Sequence, residues 1–362
     1  MQHALTLARE SIGVASPNPQ VSCVLVKNNQ IIGEGAHRYD AYDHAEIVAL
    51  KQAGESSRGA TAYVTLEPCS HYGRTGPCAD ALIAAGIARA FIATEDPNSQ
   101  VSGKGIAKLR ASGIEVTLGL CQDEARAIND PFAKFIRTRT PLVTLKSALS
   151  RDGKIAPASH TQQPHWLTGP EARAEVHRLR HAQDALLTGI GTVLADDPLL
   201  TDRSGLTRRR PLLRVVLDAQ LRTALNSRIV QTAQDDVLLF CSSSAPEKNR
   251  AALLAKNIRI EAAAESTPGQ LDLAAVLHRM GELEILSVLI EAGSHLNSSF
   301  LSANLVDKVV LFNAPTELGE DAIPFAASGP TPDALENILQ RTSHRQFAED
   351  VCITGYLHDP WA

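Results

Sequence analysis

The sequence predicts an α/β protein of two domains, each a sheet covered by helices, and three observations carry that expectation. First, 362 residues exceed one ordinary core and fit two domains of common size. Second, 44% of the residues are hydrophobic but only 4% are aromatic, so the cores are aliphatic, as in strands buried beneath helices. Third, strand-like and helix-like patterns alternate in two series, separated by the short polar segment Thr138-Arg139-Thr140-Pro141. The expected domains are residues 1–140 and 141–362.

In the first series Met1–Ile12 reads as a helix ended by Gly13. Val21–Val26 and Gln30–Gly35 read as a hairpin turned at Asn28-Asn29. His44–Gly54 is a helix, Ala62–Leu66 a strand, Cys78–Gly86 a helix and Ala88–Thr94 a strand. Gly105–Gly113, a helix, Ile114–Leu118, a strand, and a helix over Gln122–Arg137 complete the series. That order makes a mixed sheet with helices on both faces. The second series has strands at Leu142–Ser147, Ala185–Thr188, Leu212–Leu217, Val237–Cys241, Ile258–Ala262, Ile285–Ile290, Val306–Asn313 and Asp350–Leu357. Helices lie between several of them, notably Pro170–His181 and Leu271–Gly281.

Composition excludes several classes of partner. The net charge is −5 with acids and bases interspersed, so the basic footprint of a nucleic-acid binder is missing. Arg208-Arg209-Arg210 is the one basic cluster; it reads as a solvated loop, with a phosphate contact as the alternative. No stretch approaches the ~18 apolar residues of a membrane span, and the start lacks the regions of a secretory signal. Six cysteines are too sparse for a disulfide scaffold and fit a reducing cytoplasm.

The chemistry is concentrated in the first half. His44-Ala45-Glu46 opens one helix, and Pro68-Cys69 and Cys78 bracket the approach to the next. A catalytic zinc takes three protein ligands and keeps its fourth position for water. His44, Cys69 and Cys78 supply one nitrogen and two thiolates. Glu46, two residues after His44, is too close in sequence to be an ordinary fourth ligand, and can instead carry a proton from water to a departing amine. A structural zinc site would want a fourth Cys or His, and only His71 is near in sequence. The pattern is similar to the zinc deaminase signature His-x-Glu…Pro-Cys-x-x-Cys, except that eight residues separate the cysteines here.

The inserted loop narrows the resemblance. It runs Cys69-Ser70-His71-Tyr72-Gly73-Arg74-Thr75-Gly76-Pro77-Cys78, after Pro17-Asn18-Pro19 and Thr65-Leu66-Glu67-Pro68. This resembles the deaminase half of the bifunctional deaminase/reductase family of riboflavin biosynthesis, and the resemblance covers essentially the whole chain. Gly76 replaces a family proline and Ser22 a family glycine; neither touches the metal chemistry. The resemblance implies a cytidine-deaminase-like first domain, zinc held by His44, Cys69 and Cys78, and Glu46 as the catalytic proton shuttle. It also implies that Asn18, His37 and His71 line a pyrimidine pocket.

Residues 141–362 show no second metal cluster in the sequence. Ile285–Ile290 runs into Glu291-Ala292-Gly293-Ser294, where a glycine turn opening a helix lets backbone N–H groups approach a pyrophosphate. No Gly-x-Gly-x-x-Gly follows the first strand of this half. Leu187–Pro198 resembles the family segment in which a Thr and an Asp meet the nicotinamide cofactor and substrate. The resemblance implies a dihydrofolate-reductase-like α/β domain that uses NADPH to reduce a ribosyl to a ribityl chain. Ala148, Trp166, Thr192, Asp196, Gly293, Ser294, His295, Leu296, Asn297, Ser298 and Ser299 would meet the cofactor. Arg180, Leu200, Arg203 and Glu291 would meet the substrate, the two guanidinium forks suiting a sugar phosphate.

Two departures stand in this half. Pro164 lies where the family has a serine, and Ala219 follows Asp218 where the family often has another. They predict a weakened reductase; the alternative is a deaminase whose second domain serves as a scaffold. The expected partners are a phosphorylated pyrimidine and further copies of the chain, as a homodimer or higher homo-oligomer.

Overall fold

The computed structural model describes residues 1–72, 76–158 and 166–362. Its contacts divide into a first unit of residues 1–139, 207–209 and 361, and a second of 140–206, 210–360 and 362.

The first unit runs α1 (Gln2–Glu10), β1 (Ser22–Lys27), β2 (Gln30–Ala36), α2 (Ala45–Ala53), β3 (Thr61–Val64), α3 (Cys78–Ala84), β4 (Arg89–Ile92), α4 (Lys104–Ala111), β5 (Glu115–Leu118) and α5 (Gln122–Thr138). The sheet order is β2-β1-β3-β4-β5. β1 is antiparallel to both neighbours, whereas β3, β4 and β5 are parallel. Asn28 and Asn29 turn the hairpin with φ of 51° and 60°, the left-handed backbone that two-residue hairpin turns require. Cys23 and Leu25 of β1 join a core with Ala45, Ala49, Ala79, Leu82, Ile106 and Leu109 of α2, α3 and α4. Leu5 of α1 and Ala125 of α5 form a smaller cluster with Ala93.

The close seat of α2 on β2 depends on two glycines. A Cβ on Gly33 would lie 2.3 Å from the Ala49 carbonyl oxygen, and one on Gly35 would lie 2.6 Å from that of Ala45. Helix α2 can therefore bring its first turn, with His44 and Glu46, directly against the sheet.

The second unit opens with β6 (Leu142–Leu149), β7 (Lys154–Ala156), α6 (Pro170–His181), β8 (Ala185–Gly189), α7 (Ile190–Asp196) and β9 (Leu213–Leu217). It continues with α8 (Arg228–Gln231), β10 (Val237–Cys241), α9 (Glu247–Leu254), β11 (Arg259–Ala262), β12 (Glu265–Thr267), β13 (Gln270–Leu271) and α10 (Leu273–Glu282). It ends with β14 (Ser287–Ile290), α11 (Ser294–Ser302), β15 (Lys308–Asn313), β16 (Ile323–Pro324), α12 (Pro332–Glu336), β17 (Gln340–Phe347) and β18 (Asp350–Tyr356). The main sheet has the order β11-β10-β9-β8-β14-β6-β15-β18-β17. It is parallel through β15 and antiparallel at β18 and β17. The central parallel strands β8, β9, β10 and β14 are buried at nearly every position, as strands covered on both faces are. All their carboxyl ends meet one edge of the sheet, where α/β folds bind ligands beside a reversal in strand order.

Strand β17 is absent from the sequence reading. Its first seven residues are exposed, so no apolar alternation marks it; it is an edge held by its ladder to β18. The arginine run also differs from a solvated loop. Arg209 is half-buried, donates to the Ser16 carbonyl at 2.7 and 3.1 Å, and stacks 4.1 Å from the Tyr39 ring.

Candidate functional site

His44 occupies the N-cap of α2 with an extended backbone, which places Glu46 in the first helical turn. Cys78 begins α3 behind Pro77. Cys69 is held beside it by two backbone contacts: its carbonyl accepts from the Ala79 N–H at 3.1 Å, and its Sγ accepts from the Cys78 N–H at 3.3 Å. His44 Nδ1 then lies 3.6 Å from Cys69 Sγ and 3.2 Å from Cys78 Sγ. All three donor atoms fall within 4.8 Å of one another. One imidazole and two thiols suit a zinc site with an open position, so the donor set fits that metal.

Hydrogen bonds from Cys78 and His44 hold the Cys69 thiol well below the ordinary thiol range, against the opposing effect of burial. The same pairing drives the Cys78 thiol upward. Glu46 is buried, and burial, reinforced by the Cys69 charge, pushes its carboxyl up to about 7.

Asn18 and His37 meet beside this cluster. The His37 Nδ1–H donates to the Asp43 carbonyl at 3.0 Å, which leaves Nε2 to accept from the Asn18 amide at 2.9 Å. Its ring stands edge-on to His44 with centroids 5.4 Å apart. Burial lowers the His37 pKa, so the ring is a neutral prop. His71 is exposed at the start of a loop whose residues 73–75 lie outside the description.

Sequence reasoning passed over Glu67 and Asp96. The buried Glu67 carboxylate accepts four backbone N–H groups, from Asp96 at 3.2, Gly103 at 2.9, Gly105 at 2.8 and Ile106 at 3.1 Å. Asp96 is raised to about 6 by burial, and feels the charges of His71 and Cys69. A usable signal was present: Asp96-Pro97-Asn98 is a turn at the carboxyl end of a parallel strand.

In the second unit the geometry gathers Arg180 and Glu291. Arg180 Nε and Nη2 donate to the two Glu291 oxygens at 2.7 and 2.8 Å, and Nη1 donates to the Thr201 carbonyl at 2.9 Å. Its fork is therefore committed to Glu291, where the sequence expectation had it facing a phosphate. Arg203 is exposed and has no ion-pair or hydrogen-bond partner among the described residues. Leu200 packs in a hydrophobic cluster with a backbone φ of 55°, so only its main chain can meet a substrate. Lys146, also passed over, lies 4.0 Å from Glu291 with 14% of its side chain exposed. Lys146 is the one charged residue of the largely buried β6, and that was the available clue. Burial opposes the Glu291 charge, but Arg180 and Lys146 outweigh it and hold the carboxyl down at about 2.

The residues expected to meet a dinucleotide divide into two groups. Gly293 is the N-cap of α11, directly after β14, and the site where its Cβ would stand is open except for Thr192 Oγ1 at 4.0 Å. Ser294 Oγ here, and Thr188 Oγ1 at the end of β8, are buried with no hydrogen-bond partner among the described residues. Unsatisfied hydroxyls beside an open helix N-terminus fit a pyrophosphate. Asn297 and Ser298 instead tie α11 to the Phe325 and Ser328 carbonyls at 2.9 and 2.6 Å, and Ser299 bonds its own helix through the His295 carbonyl at 3.0 Å. His295 is exposed and Leu296 half-buried. Ala148 is half-buried near the end of β6, Asp196 ends α7 exposed, and Trp166 is exposed with Arg173 5.3 Å from its ring. Pro164 lies outside the described residues; Ala219 packs half-buried against the core.

Residues 1–94 match the cytidine and deoxycytidylate deaminase zinc-binding region, and residues 141–353 match the RibD C-terminal domain. The Escherichia coli riboflavin biosynthesis protein RibD is 42% identical over 336 residues, spanning 89% of this chain and 88% of that one. The Acinetobacter baumannii RibD structure superposes with a TM-score of 0.83 at 36% identity, covering 98% of this chain and 97% of that one. A Thermotoga maritima diaminohydroxyphosphoribosylaminopyrimidine deaminase/5-amino-6-(5-phosphoribosylamino)uracil reductase superposes at 0.81 with 32% identity, covering 98% and 97%.

Proposed function

The chain belongs to the RibD family of riboflavin-biosynthesis enzymes, and on that premise we propose that its two units act in turn on one phosphorylated pyrimidine. It is a bifunctional enzyme: a zinc-dependent deaminase followed by an NADPH-dependent reductase. The substrate of the first step is the diamino-ribosylamino-pyrimidinone phosphate, and the second step converts the ribosyl group to a ribityl chain. The match of the second half to the RibD reductase domain does not favour an inactive scaffold.

The observation that carries this reading is the convergence of His44, Cys69 and Cys78 with a buried Glu46 two residues from the histidine. Zinc, when bound there, makes water acidic enough to attack at neutral pH. Glu46 moves a proton from the attacking water to the departing amine. Asn18, through its bond to a neutral His37, is positioned to orient the ring, with His71 at the pocket's rim. In the second unit NADPH supplies the reducing equivalents when bound. Gly293, Ser294 and Thr192 would hold it at the carboxyl edge of the sheet, with Ala148, Trp166, Asp196 and His295 around them. Glu291 and the main chain of Leu200 face the sugar, and Arg203 its phosphate.

We further propose that residues 1–140 form the deaminase domain and 141–362 the reductase domain, and that the enzyme works in the cytoplasm as a homo-oligomer. Six unpaired cysteines support the reducing compartment. Among the described residues no helix is long and apolar enough to cross a membrane. The test of the leading reading is ammonia release from the diaminopyrimidinone nucleotide without NADPH. A zinc-loaded enzyme that leaves the amine in place would contradict it.

A further inference from the structure

One face of α6 carries His177, Arg180 and His181, spaced to lie together on a helix. The segment Thr201-Asp202-Arg203 runs against it. Arg180 is bonded to the Thr201 carbonyl at 2.9 Å, and His181 Nδ1 lies 3.0 Å from Asp202 Oδ2. His177 alone of the three has a buried ring nitrogen, Nδ1, that no donor or acceptor among the described residues reaches. Such an atom is costly unless something else satisfies it. Arg203, whose charge bears on His177, offers an exposed guanidinium with no partner among the described residues, while Glu291 occupies the Arg180 fork.

We propose that His177 joins Arg203 in binding the phosphate of the reductase substrate, taking up a proton as that phosphate arrives. The inference rests on the reading of the second unit as a reductase of a phosphorylated sugar. The charged groups facing His177 are Arg180 from its own helix, Asp202 and Arg203 from the adjoining segment, and Glu291 from the end of β14. Partial burial, then the two arginines, lower its pKa against the pull of the two acids, so the ring is neutral in the ligand-free enzyme. A phosphate dianion offsets the arginines and favours the imidazolium, whose Nδ1–H then donates to a phosphate oxygen.

The test compares the reductase step in unmodified enzyme and His177→Asn, with the phosphorylated substrate and with the same riboside lacking its phosphate. In the unmodified enzyme KM for the phosphorylated substrate should rise about tenfold as pH passes from the free to the bound pKa of His177. The variant should stay at the weak limit at every pH, with the loss in KM rather than kcat and none with the riboside. Equal KM and pH profiles in both proteins would overturn the proposal, as would an equal loss with the riboside. Calorimetry on the unmodified enzyme gives a second readout that does not depend on the variant's folding. Binding of ribose 5-phosphate, at a pH where it is already dianionic, should take up a proton, and binding without uptake would overturn the proposal. An unmodified enzyme that never oxidises NADPH with the nucleotide would overturn the reductase reading itself, a separate result.

Discussion

Replacing Glu291 with glutamine removes one charge from a site where Arg180, Lys146 and Glu291 have only 11, 14 and 15% of their side chains exposed. The amide can still accept from one Arg180 N–H, but it leaves two cations facing each other without an anion. Removing one partner of a buried pair costs about 3–5 kcal/mol, and the surviving hydrogen bond points to the lower end. Proton linkage gives the same magnitude. Glu291 titrates at about 2 in the folded protein, against an ordinary value of 4.5. At 1.36 kcal/mol for each pH unit that difference is worth about 3 kcal/mol. Because the folded-state pKa is depressed, the stabilisation is fully present above pH 4.5 and is lost as pH falls toward 2. The assay is urea unfolding at several pH values, following the transition that NADPH shifts. Glu291→Gln should be about 3 kcal/mol less stable at neutral pH and should converge on the unmodified protein in acid. A deficit below about 1 kcal/mol, the range of an exposed pair, or one that does not change with pH, would refute the reasoning.

Three further outcomes follow from the first unit. Glu46→Gln should retain about one zinc per chain, measured by atomic absorption, while deamination is abolished, because the carboxylate moves protons and does not ligate. Cys69→Ser and Cys78→Ser should each lose the metal, since each removes one of three ligands. Gly35→Ala must displace the first turn of α2, because its Cβ would stand 2.6 Å from the Ala45 carbonyl oxygen. It should destabilise the first unit by about 1–3 kcal/mol in thermal unfolding and slow deamination, with NADPH oxidation on the deaminated nucleotide unchanged.

The metal cluster was legible because its chemistry is local. His44 and Glu46 share a helix start and Cys69 and Cys78 share one loop, so spacing grouped them in two pairs, and the likeness to the zinc deaminase signature joined the pairs. The sheets were legible for a related reason: β10 is an unbroken apolar run, β6 and β9 are rich in Leu and Val, and Asn28-Asn29 marks its own turn. Strand β17 escaped because its side chains face water and its backbone ladder leaves no trace in residue type. Pairings across long stretches of chain escaped as well. Nothing near Arg180 in sequence shows that Glu291 saturates its fork, and nothing near Glu67 shows that it gathers donors as distant as Ile106. Leu200 shows the opposite limit, since its position was expected near substrate but its side chain serves the core.

The most direct test of the two-step account is mass analysis of the diaminopyrimidinone nucleotide after incubation with zinc-loaded enzyme, with and without NADPH. The account predicts the deaminated ribosyl product and free ammonia without NADPH, and the deaminated ribityl product with it. A deaminated product that persists unreduced in the presence of NADPH would contradict it, as would a nucleotide left with its amine intact.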